Sequence, residues 1–324
     1  MNDEHGVTGR GATEAGMDLS LLTTEKENPH SRDIDARTTF EVLALINSED
    51  KKVPYAVEAA LPDLAALVDD VVASFKRGGK LVYIGAGTSG RLGVLDASEC
   101  PPTFGTPPAM VQGLIAGGRE ALTRAVEWAE DKPEQGIADL EAISFNANDV
   151  LIGITASGQA PYVLGALEHA RELGAVVGAI SCNQNSETFK YARHKIFVDV
   201  GPEVLTGSTR LKSGTAQKLV LNMITTTAMI KLGKVYKNLM IDLSPVNKKL
   251  VERSKNLIMR AGECDRATAE AAFLKSGKRP KIAILMVLLG IGDEEAERLV
   301  DRYDGHLSMA VQAFKDGGEG ADAL

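Results

Sequence analysis

Cysteine is scarce in this chain of 324 residues, which contains only Cys100, Cys182 and Cys264. Three dispersed cysteines are too few for a disulfide framework or a zinc site, so we expect a reducing environment and no bound metal. Long apolar runs are also missing, because the two most apolar stretches, 219–230 and 282–291, are about half the roughly 20 residues that a membrane-spanning helix needs. The N-terminus lacks the charged start and apolar core of a signal peptide. These absences predict a cytoplasmic protein with no membrane partner.

An excess of positive charge is missing as well. The formal net charge is -8 and the sequence pI is about 5.3, which predicts no nucleic-acid partner, because such partners are held by basic surfaces. An anionic ligand therefore has to be bound by local donors rather than by the field of the whole molecule. Glycine, in contrast, is abundant. It makes up 32 of the 324 residues, or about 10%, which is above its ordinary share of roughly 7%. We expect some loops to approach a ligand or the backbone closely.

Short apolar runs alternate with helical patterns through the middle of the chain. Residues 1–20 are polar and aperiodic, as in a flexible tail, and residues 54–76 have the apolar spacing of one long helix. The predicted strands are 81–84, 111–115, 150–155, 176–181 and 196–200. The predicted helices between them are 91–98, 120–128, 161–173 and 213–232. Near-continuous apolar strands alternating with helices predict an α/β fold with a doubly wound parallel sheet flanked by helices.

The C-terminal part of the chain has a different pattern. Residues 261–324 contain three or four short apolar helical patterns separated by glycine, without any strand pattern. We therefore expect a main domain over residues 21–260 and a small all-helical C-terminal subdomain over residues 261–324.

A glycine-rich turn after the first predicted strand is the strongest local feature. Gly87 and Gly90 allow close approach to a ligand, the following helix N-terminus offers free N–H groups, and Thr88 and Ser89 add hydroxyls. A simple capped turn would use similar residues. A dinucleotide site would need an acidic residue about 20 positions further on, and a P-loop would need a Lys-Ser/Thr pair. Both are absent, so a compact phosphate monoester fits this turn better than a nucleotide.

Two later turns are also rich in hydroxyl groups. Ser157 and Gly158 follow the third predicted strand, and Ser208 and Thr209 precede the helix predicted over 213–232. Each turn by itself is explained equally well as a solvated helix start. Three such turns in one α/β domain favour a ligand with many neutral hydrogen-bonding groups and few charges, such as a sugar phosphate.

Carboxylates are the acid/base candidates, because the histidines lie outside these turns. Glu99 precedes Pro101 and Pro102, which are expected to end its helix. Glu130 lies among several other acidic residues on a predicted surface helix. From these patterns alone, ordinary solvation explains each glutamate better than an acid/base role does.

Several long motifs resemble one enzyme family. The stretch 83–105 closely resembles the N-acetylmuramic acid 6-phosphate etherases. Further matching stretches are 22–26, 114–118, 156–158, 180–183, 206–210, 214–223 and 233–236. The resemblance covers about residues 21–260. It implies a sugar isomerase type of phosphosugar-binding domain, a homodimer with the site near the subunit interface, and no metal or organic cofactor.

The resemblance also implies roles for individual residues. The family's acid/base glutamate falls on Glu99 and its second glutamate on Glu130. The residues implied to bind the sugar phosphate are Gly87, Thr88, Ser89, Gly90, Ser157, Gly158, Ser208 and Thr209. Three positions depart from the family pattern: Trp128 replaces a glycine, and Gln159 with Ala160 replaces Arg-Thr.

The implied reaction cleaves the lactyl ether of a bacterial cell-wall sugar phosphate by elimination and water addition, giving N-acetylglucosamine 6-phosphate and D-lactate. A helix over 90–99 would place Glu99 roughly 15 Å from its start, which exceeds the length of a hexose phosphate. Either the helix ends early and the chain turns back, or a second subunit donates Glu99. A non-catalytic sugar-phosphate regulator and an aldose–ketose isomerase are alternative functions.

Overall fold

The computed structural model describes residues 22–243, 245 and 248–317 of the chain. The tail predicted over residues 1–20 lies outside them. In the described part of the chain, five parallel strands form the central sheet in the order β2-β1-β3-β4-β5. Their bounds are Leu81–Gly85 (β1), Val111–Ile115 (β2), Val150–Ile154 (β3), Val176–Ser181 (β4) and His194–Phe197 (β5). The chain leaves β1 toward β2 on one side and leaves β3 toward β4 on the other, so a crevice opens where these two strands end.

Helices cover both faces of the sheet, which confirms the doubly wound α/β prediction. They are α1 (Thr39–Asp50), α2 (Val53–Ala59), α3 (Leu61–Lys76), α4 (Gly87–Phe104), α5 (Pro133–Ala142), α6 (Pro161–Glu172) and α7 (Lys212–Lys231). Alternate residues of β1 point to opposite faces. Leu81 and Tyr83 pack in the apolar cluster that includes residues of α3, α4 and α7, whereas Val82 and Ile84 pack with residues of α5 and α6. Burial on both faces explains why this strand is apolar throughout.

The helix predicted over 54–76 is divided in two. α2 ends at Ala59 and α3 begins at Leu61. Pro62 lies in the first turn of α3 and lacks the N–H that a continuous helix would donate to the carbonyl of residue 58. The apolar spacing predicted helical structure correctly on both sides of the break. The two helices are not continuous, because Pro62 has no N–H to donate.

The prediction that α4 ends before its two prolines is wrong. The helix continues through Pro101 and Pro102 to Phe104 and ends at Gly105, which has φ 63°. Proline has a helical φ, so two prolines in the last turn remove two N–H donors but do not end the helix. The N–H of Gly105 instead closes the helix by donating to the Pro101 carbonyl. Residues 87–104 therefore form one continuous helix.

The helix predicted over 120–128 is also wrong. A short 3-10 helix occupies Gly118–Leu122, turns follow, and a second one occupies Ala129–Asp131. The Arg91 guanidinium accounts for this, because it donates to the carbonyls of Leu122 and Arg124. In a continuous helix those carbonyls would accept from backbone amides four residues later. Hydrogen bonds from a side chain that is distant in the sequence take the place of the backbone hydrogen bonds of a helix.

The C-terminal part has its own apolar core. A hairpin formed by Val235–Tyr236 and Leu239–Met240 leads into this region. Its helices are α8 (Lys248–Gly262), α9 (Arg266–Lys275), α10 (Pro280–Leu289), α11 (Asp293–Arg302) and α12 (Leu307–Lys315). The core already includes Tyr236, Ile241 and Ile258. The division at residue 261 stays a prediction, and this packing favours an earlier boundary.

Within the described residues, no helix is both long enough and apolar enough to cross a membrane.

Candidate active site

The crevice beyond β1 and β3 holds a cavity of about 400 Å³. Its walls come from the turns that precede α4 and α6, the loop before α7, the 3-10 helix Ala129–Asp131, and the N-terminal segment. The residues predicted for the site that line it are Gly87, Thr88, Ser89, Glu130, Ser157 and Thr209. The predicted residues that do not line it are Gly90, Glu99, Gly158 and Ser208. Among the described residues of the cavity wall, none is lysine, arginine or histidine.

The first turn presents the N-terminus of α4 to the cavity. No described side chain caps this helix, so the backbone N–H groups of Thr88 and Ser89 are available to an anion. Gly90 acts beneath the surface. A Cβ there would lie 2.6 Å from the carbonyl oxygen of Gly85, so only glycine allows α4 to begin this close to β1.

Ser89 is held by a residue from α7. Its hydroxyl donates a hydrogen bond to Gln217 Oε1 at 2.9 Å, and both side chains are buried. Gln217 Nε2 finds no partner among the described residues. Exchanging the oxygen and nitrogen of this carboxamide would let Nε2 donate to Ser89, and the serine proton would then be free for a ligand. Gln217 is therefore placed to control how Ser89 contacts a ligand.

The second turn is organised by its own hydroxyls. Thr155 Oγ1 accepts from the N–H of Gly158 at 3.2 Å, and Ser157 Oγ accepts from the N–H of Gln159 at 3.3 Å. Gly158 has φ +80°, and a Cβ there would lie 2.2 Å from Ser186 Oγ. Gly158 therefore shapes the turn from behind, while Ser157 and Gln159 line the cavity.

The third loop brings Gly207 and Thr209 to the cavity wall. Its lysine has a structural role, because Lys212 Nζ is buried and donates to Glu49 Oε2 at 2.7 Å and to the Pro202 carbonyl at 2.8 Å. Glu203 caps the start of α7 by accepting from the N–H groups of Lys212 and Ser213. Neutral groups rather than this ammonium thus face the cavity.

The two predicted glutamates are separated. Glu130 lines the cavity, whereas Glu99 is exposed on α4. Glu99 lies 12 positions beyond Gly87 in that helix, which corresponds to about 18 Å. Because α4 is continuous, the alternative in which its helix ends early and the chain turns back is wrong. Within one chain, Glu99 does not reach the start of α4.

Sequence identity to named proteins shows which family the chain belongs to. The chain is 52% identical to the N-acetylmuramic acid 6-phosphate etherase of Photorhabdus laumondii, across 92% of this chain and 99% of that protein. The chain belongs to the N-acetylmuramic acid 6-phosphate etherase family. N-acetylmuramic acid 6-phosphate etherase 2 of Vibrio cholerae is 53% identical across 92% of this chain and 97% of that protein. The etherase 2 of Lactiplantibacillus plantarum is 52% identical across 91% of this chain and 100% of that protein.

Two family descriptions also match parts of the chain. "Glucokinase regulatory protein N-terminal SIS domain" matches residues 63–171, and "SIS domain" matches residues 136–227. Together with the parallel sheet and its helices, these matches confirm the sugar isomerase type of fold. The resemblance of the motifs to the etherases is confirmed as well.

The three departures from the etherase pattern lie at or beside the cavity. Trp128 has φ 60° and is 76% exposed. This left-handed conformation favours glycine and strains a bulky side chain. Trp128 lines a neighbouring cavity of about 200 Å³, whose wall also includes Glu130. Gln159 and Ala160 line the main cavity.

The sequence analysis did not predict a third carboxylate that lines the cavity. Glu25, in the 3-10 helix Thr23–Glu25, lines the wall with Glu130 and Asp131. The signal was available, because the stretch 22–26 matches the family, but nothing in its spacing indicated that it folds over the cavity. Asn183 was missed for the same reason, and it holds this N-terminal segment in place.

A buried polar cluster supports the site from behind. Asp96 accepts hydrogen bonds from Tyr83 at 3.1 Å, Asn222 at 2.7 Å and Thr225 at 3.3 Å, which joins β1, α4 and α7. Burial raises the pKa of Asp96, although its three hydrogen bonds oppose the rise. Burial likewise raises the pKa of the neighbouring Cys100 thiol to about 12. The cluster therefore fixes the two helices rather than offering a nucleophile.

Proposed function

We propose that this chain cleaves the D-lactyl ether of N-acetylmuramic acid 6-phosphate, giving N-acetylglucosamine 6-phosphate and D-lactate, in the recycling or catabolism of cell-wall amino sugars. The observation that carries the proposal is 52% identity over 92% of the chain to an enzyme of that name. The cavity supports it, because its wall combines hydroxyl groups, an uncapped helix N-terminus and carboxylates. Binding a sugar phosphate and transferring protons need those kinds of group.

The 6-phosphate is proposed to bind at the start of α4. Thr88 and Ser89 offer both N–H groups and hydroxyls there, while Ser157 and Thr209 line the same cavity. The positive end of the helix dipole attracts the anion without a basic side chain. Binding at this point orients the rest of the sugar toward Glu130. Ser208, which lies beside Thr209 but outside the wall, stays a predicted contact.

The proposed reaction is elimination followed by water addition. In the ring-opened aldehyde, a base removes the C2 proton, the C2–C3 double bond forms, and the C3–O bond breaks as the lactate oxygen takes up a proton. Water then adds at C3 and a proton returns to C2, so the net change is hydrolysis of the ether. We assign Glu99 the base and principal acid/base role, and Glu130 a supporting proton-transfer role. The atoms balance with water alone, so no redox cofactor is required.

A homodimer is proposed, with Glu99 donated to the partner's cavity. Leu95 lies one turn before Glu99 on the same side of α4 and is 52% exposed. On α7, Met223 and Ile230 are 38% and 45% exposed. Burying Leu95 against a second copy would also bring Glu99 to the interface.

The first helix provides a second apolar surface for this dimer. Of the 12 residues of α1, all of them described, only Glu49 is buried. Phe40 is 80% exposed and Leu43 is 60% exposed. A helix of this length whose apolar side chains are exposed or only partly buried is marginally stable in water. We therefore propose that α1 packs on the partner subunit.

A cytoplasmic location is part of the same proposal. Cys100, Cys182 and Cys264, all within the described residues, are free. Free thiols are typical of a reducing compartment. Localising the tagged full chain in cells tests this.

The function is tested by incubating the protein with N-acetylmuramic acid 6-phosphate and measuring D-lactate. Stoichiometric lactate and N-acetylglucosamine 6-phosphate support the proposal. Binding without turnover would indicate a regulator, and exchange between C1 and C2 without lactate would indicate an isomerase. Glu99→Gln is expected to lower kcat by roughly 100- to 10,000-fold, the usual contribution of a general base. Full activity in this variant would contradict the assigned base.

The shared site is tested by subunit complementation. Thr88→Asp places a negative charge where the phosphate is proposed to bind, and Glu99→Gln removes the base. In a mixed dimer of these two inactive chains, one site has both an intact turn and an intact Glu99. Random pairing should restore about one quarter of the wild-type activity. Coexpressed chains that form mixed dimers without activity would contradict a shared site.

A further inference from the structure

We propose that Glu25 is a substrate-binding carboxylate, which accepts hydrogen bonds from hydroxyl groups of the sugar on the side of the cavity formed by the N-terminal segment. The inference rests on the proposed function and assigns a role to a part of the cavity wall that the mechanism does not use. Leu22 and Glu25 form that part of the wall.

The segment that carries Glu25 is fixed at the backbone. Asn183 Oδ1 accepts from the N–H of Thr23 at 2.6 Å, and Asn183 Nδ2 donates to Thr24 Oγ1 at 3.2 Å. The N–H of Gly207 donates to the Thr24 carbonyl at 3.2 Å. Asn183 also donates to the carbonyls of Ala156 and Ser157. The N-terminal segment is thereby tied to both the second turn and the third loop.

The carboxylate of Glu25 lies against Gly207. A Cβ on Gly207 would be 3.1 Å from Glu25 Oε2, so the absence of a side chain there allows the approach. Among the residues that the structure describes, none donates a hydrogen bond to Glu25 or forms an ion pair with it. Its side chain is half-buried, and a partly desolvated carboxylate is stabilised by donors from a ligand.

The charge of Glu25 determines which part of the substrate it binds. An ionised carboxylate only accepts hydrogen bonds, and it repels a phosphate, which is proposed to bind at Thr88 and Ser89. Sugar hydroxyls are donors and carry no charge. Glu25 is therefore suited to the hydroxyl groups of the sugar chain rather than to the 6-phosphate.

The test compares Glu25→Ala and Glu25→Gln with a matched control on the same segment. Losing hydrogen bonds to a charged group is expected to raise KM roughly 10- to 100-fold in Glu25→Ala, with a smaller change in kcat. Glu25→Gln keeps one acceptor and should show a smaller rise in KM. Glu27→Ala is the control, because Glu27 is outside the cavity wall and its pairing with Arg32 is largely exposed. Its KM should equal that of the wild type.

Equilibrium binding separates this inference from the reaction itself. The affinity for N-acetylglucosamine 6-phosphate should fall in Glu25→Ala, whereas the affinity for ethyl phosphate, which has no sugar hydroxyls, should not fall.

The possible outcomes distinguish the role of Glu25 from the function. Lactate release by the wild type together with unchanged KM and binding in Glu25→Ala would overturn the role of Glu25 but not the function. Tighter sugar-phosphate binding in Glu25→Gln would also overturn it, since Glu25 would then merely repel phosphate. If the wild type bound the sugar phosphate without releasing lactate, the proposed reaction would fail while the titrations still tested Glu25. A wild type that bound no sugar phosphate would overturn both.

Discussion

The Lys212 ammonium donates a hydrogen bond to Glu49 Oε2 at 2.7 Å, and both side chains are almost completely buried. Lys212 begins α7 directly after the loop that carries Thr209, and Glu49 lies near the end of α1. Lys52 pairs with the other oxygen of Glu49 at 2.5 Å. The buried pair therefore ties a wall of the cavity to the helix that we propose for the dimer interface.

Removing one member of this pair should destabilise the protein strongly. Lys212→Met leaves the Glu49 carboxylate buried without its main partner, and the expected loss in the free energy of unfolding is about 3–5 kcal/mol. Lys52→Met is the matched control, because the Lys52 side chain is 53% exposed, and its loss should stay below about 1 kcal/mol. Urea denaturation measures both values. Equal losses in the two variants would show that burial of Lys212 is not what matters.

Stability should decline in acid partly through Glu49. Burial raises its pKa, but hydrogen bonds from Lys212 and Lys52 outweigh burial and lower the pKa to about 2, from an ordinary 4.5. The unfolded chain therefore takes up the proton first, so the contribution is complete above pH 4.5 and is lost as the pH falls toward 2. Within this window the free energy of unfolding should fall by up to roughly 1.4 kcal/mol per pH unit from this group. Glu49→Gln should show a shallower slope between these pH values, and an unchanged slope would contradict the assignment.

Gln217 should affect substrate binding through Ser89. In Gln217→Glu, the side chain can only accept at neutral pH, so it holds the Ser89 proton away from the phosphate and adds a negative charge. We expect KM to rise roughly tenfold or more with a smaller change in kcat. Gln217→Met removes the hydrogen bond without fixing the proton, so its KM should lie between those of the wild type and Gln217→Glu. A higher KM in the Met variant than in the Glu variant would contradict this role.

A charge on the exposed face of α4 should separate the proposed dimer. Leu95→Arg is expected to give monomers by light scattering and to lower kcat roughly 100-fold or more, since Glu99 no longer reaches a partner's cavity. Leu173→Arg is the control, because Leu173 directly follows the last residue of α6 and is 41% exposed. That variant should keep the dimer and its activity. A fully active Leu95→Arg monomer would disprove a site shared between subunits.

Local pattern was enough to predict the strands and the turns after them. β1 and β3 are short apolar runs followed by small and hydroxyl-bearing residues. The apolar run indicates a strand buried on both faces, and the small residues indicate a tight turn into a helix. The hydroxyls of Thr88, Ser89 and Ser157 do line one cavity, as the three similar turns suggested. The signal is local, since the residues of each turn determine its geometry.

Long-range contacts account for the predictions that were wrong. Arg91 takes up the carbonyls of Leu122 and Arg124 and so prevents a helix that the local pattern favoured. Glu25 reaches the cavity because Asn183, 160 residues away from Thr23, accepts a backbone hydrogen bond from the N-terminal segment. Neither contact leaves a periodic signal in the sequence.

The sequence by itself determined the class of fold, the hydroxyl-rich turns, and the family through its long motifs. The scarcity of cysteine argued against a disulfide framework, and the scarcity of positive charge argued against a nucleic-acid partner. Composition supports such predictions because it limits which interactions a chain can make. Only the tertiary structure decided that α4 is unbroken, that Glu99 lies away from its own cavity, and that Glu25 lines it. Those properties depend on which carbonyls, amides and side chains meet across the fold, and such pairings are set by packing in three dimensions rather than by neighbours along the chain.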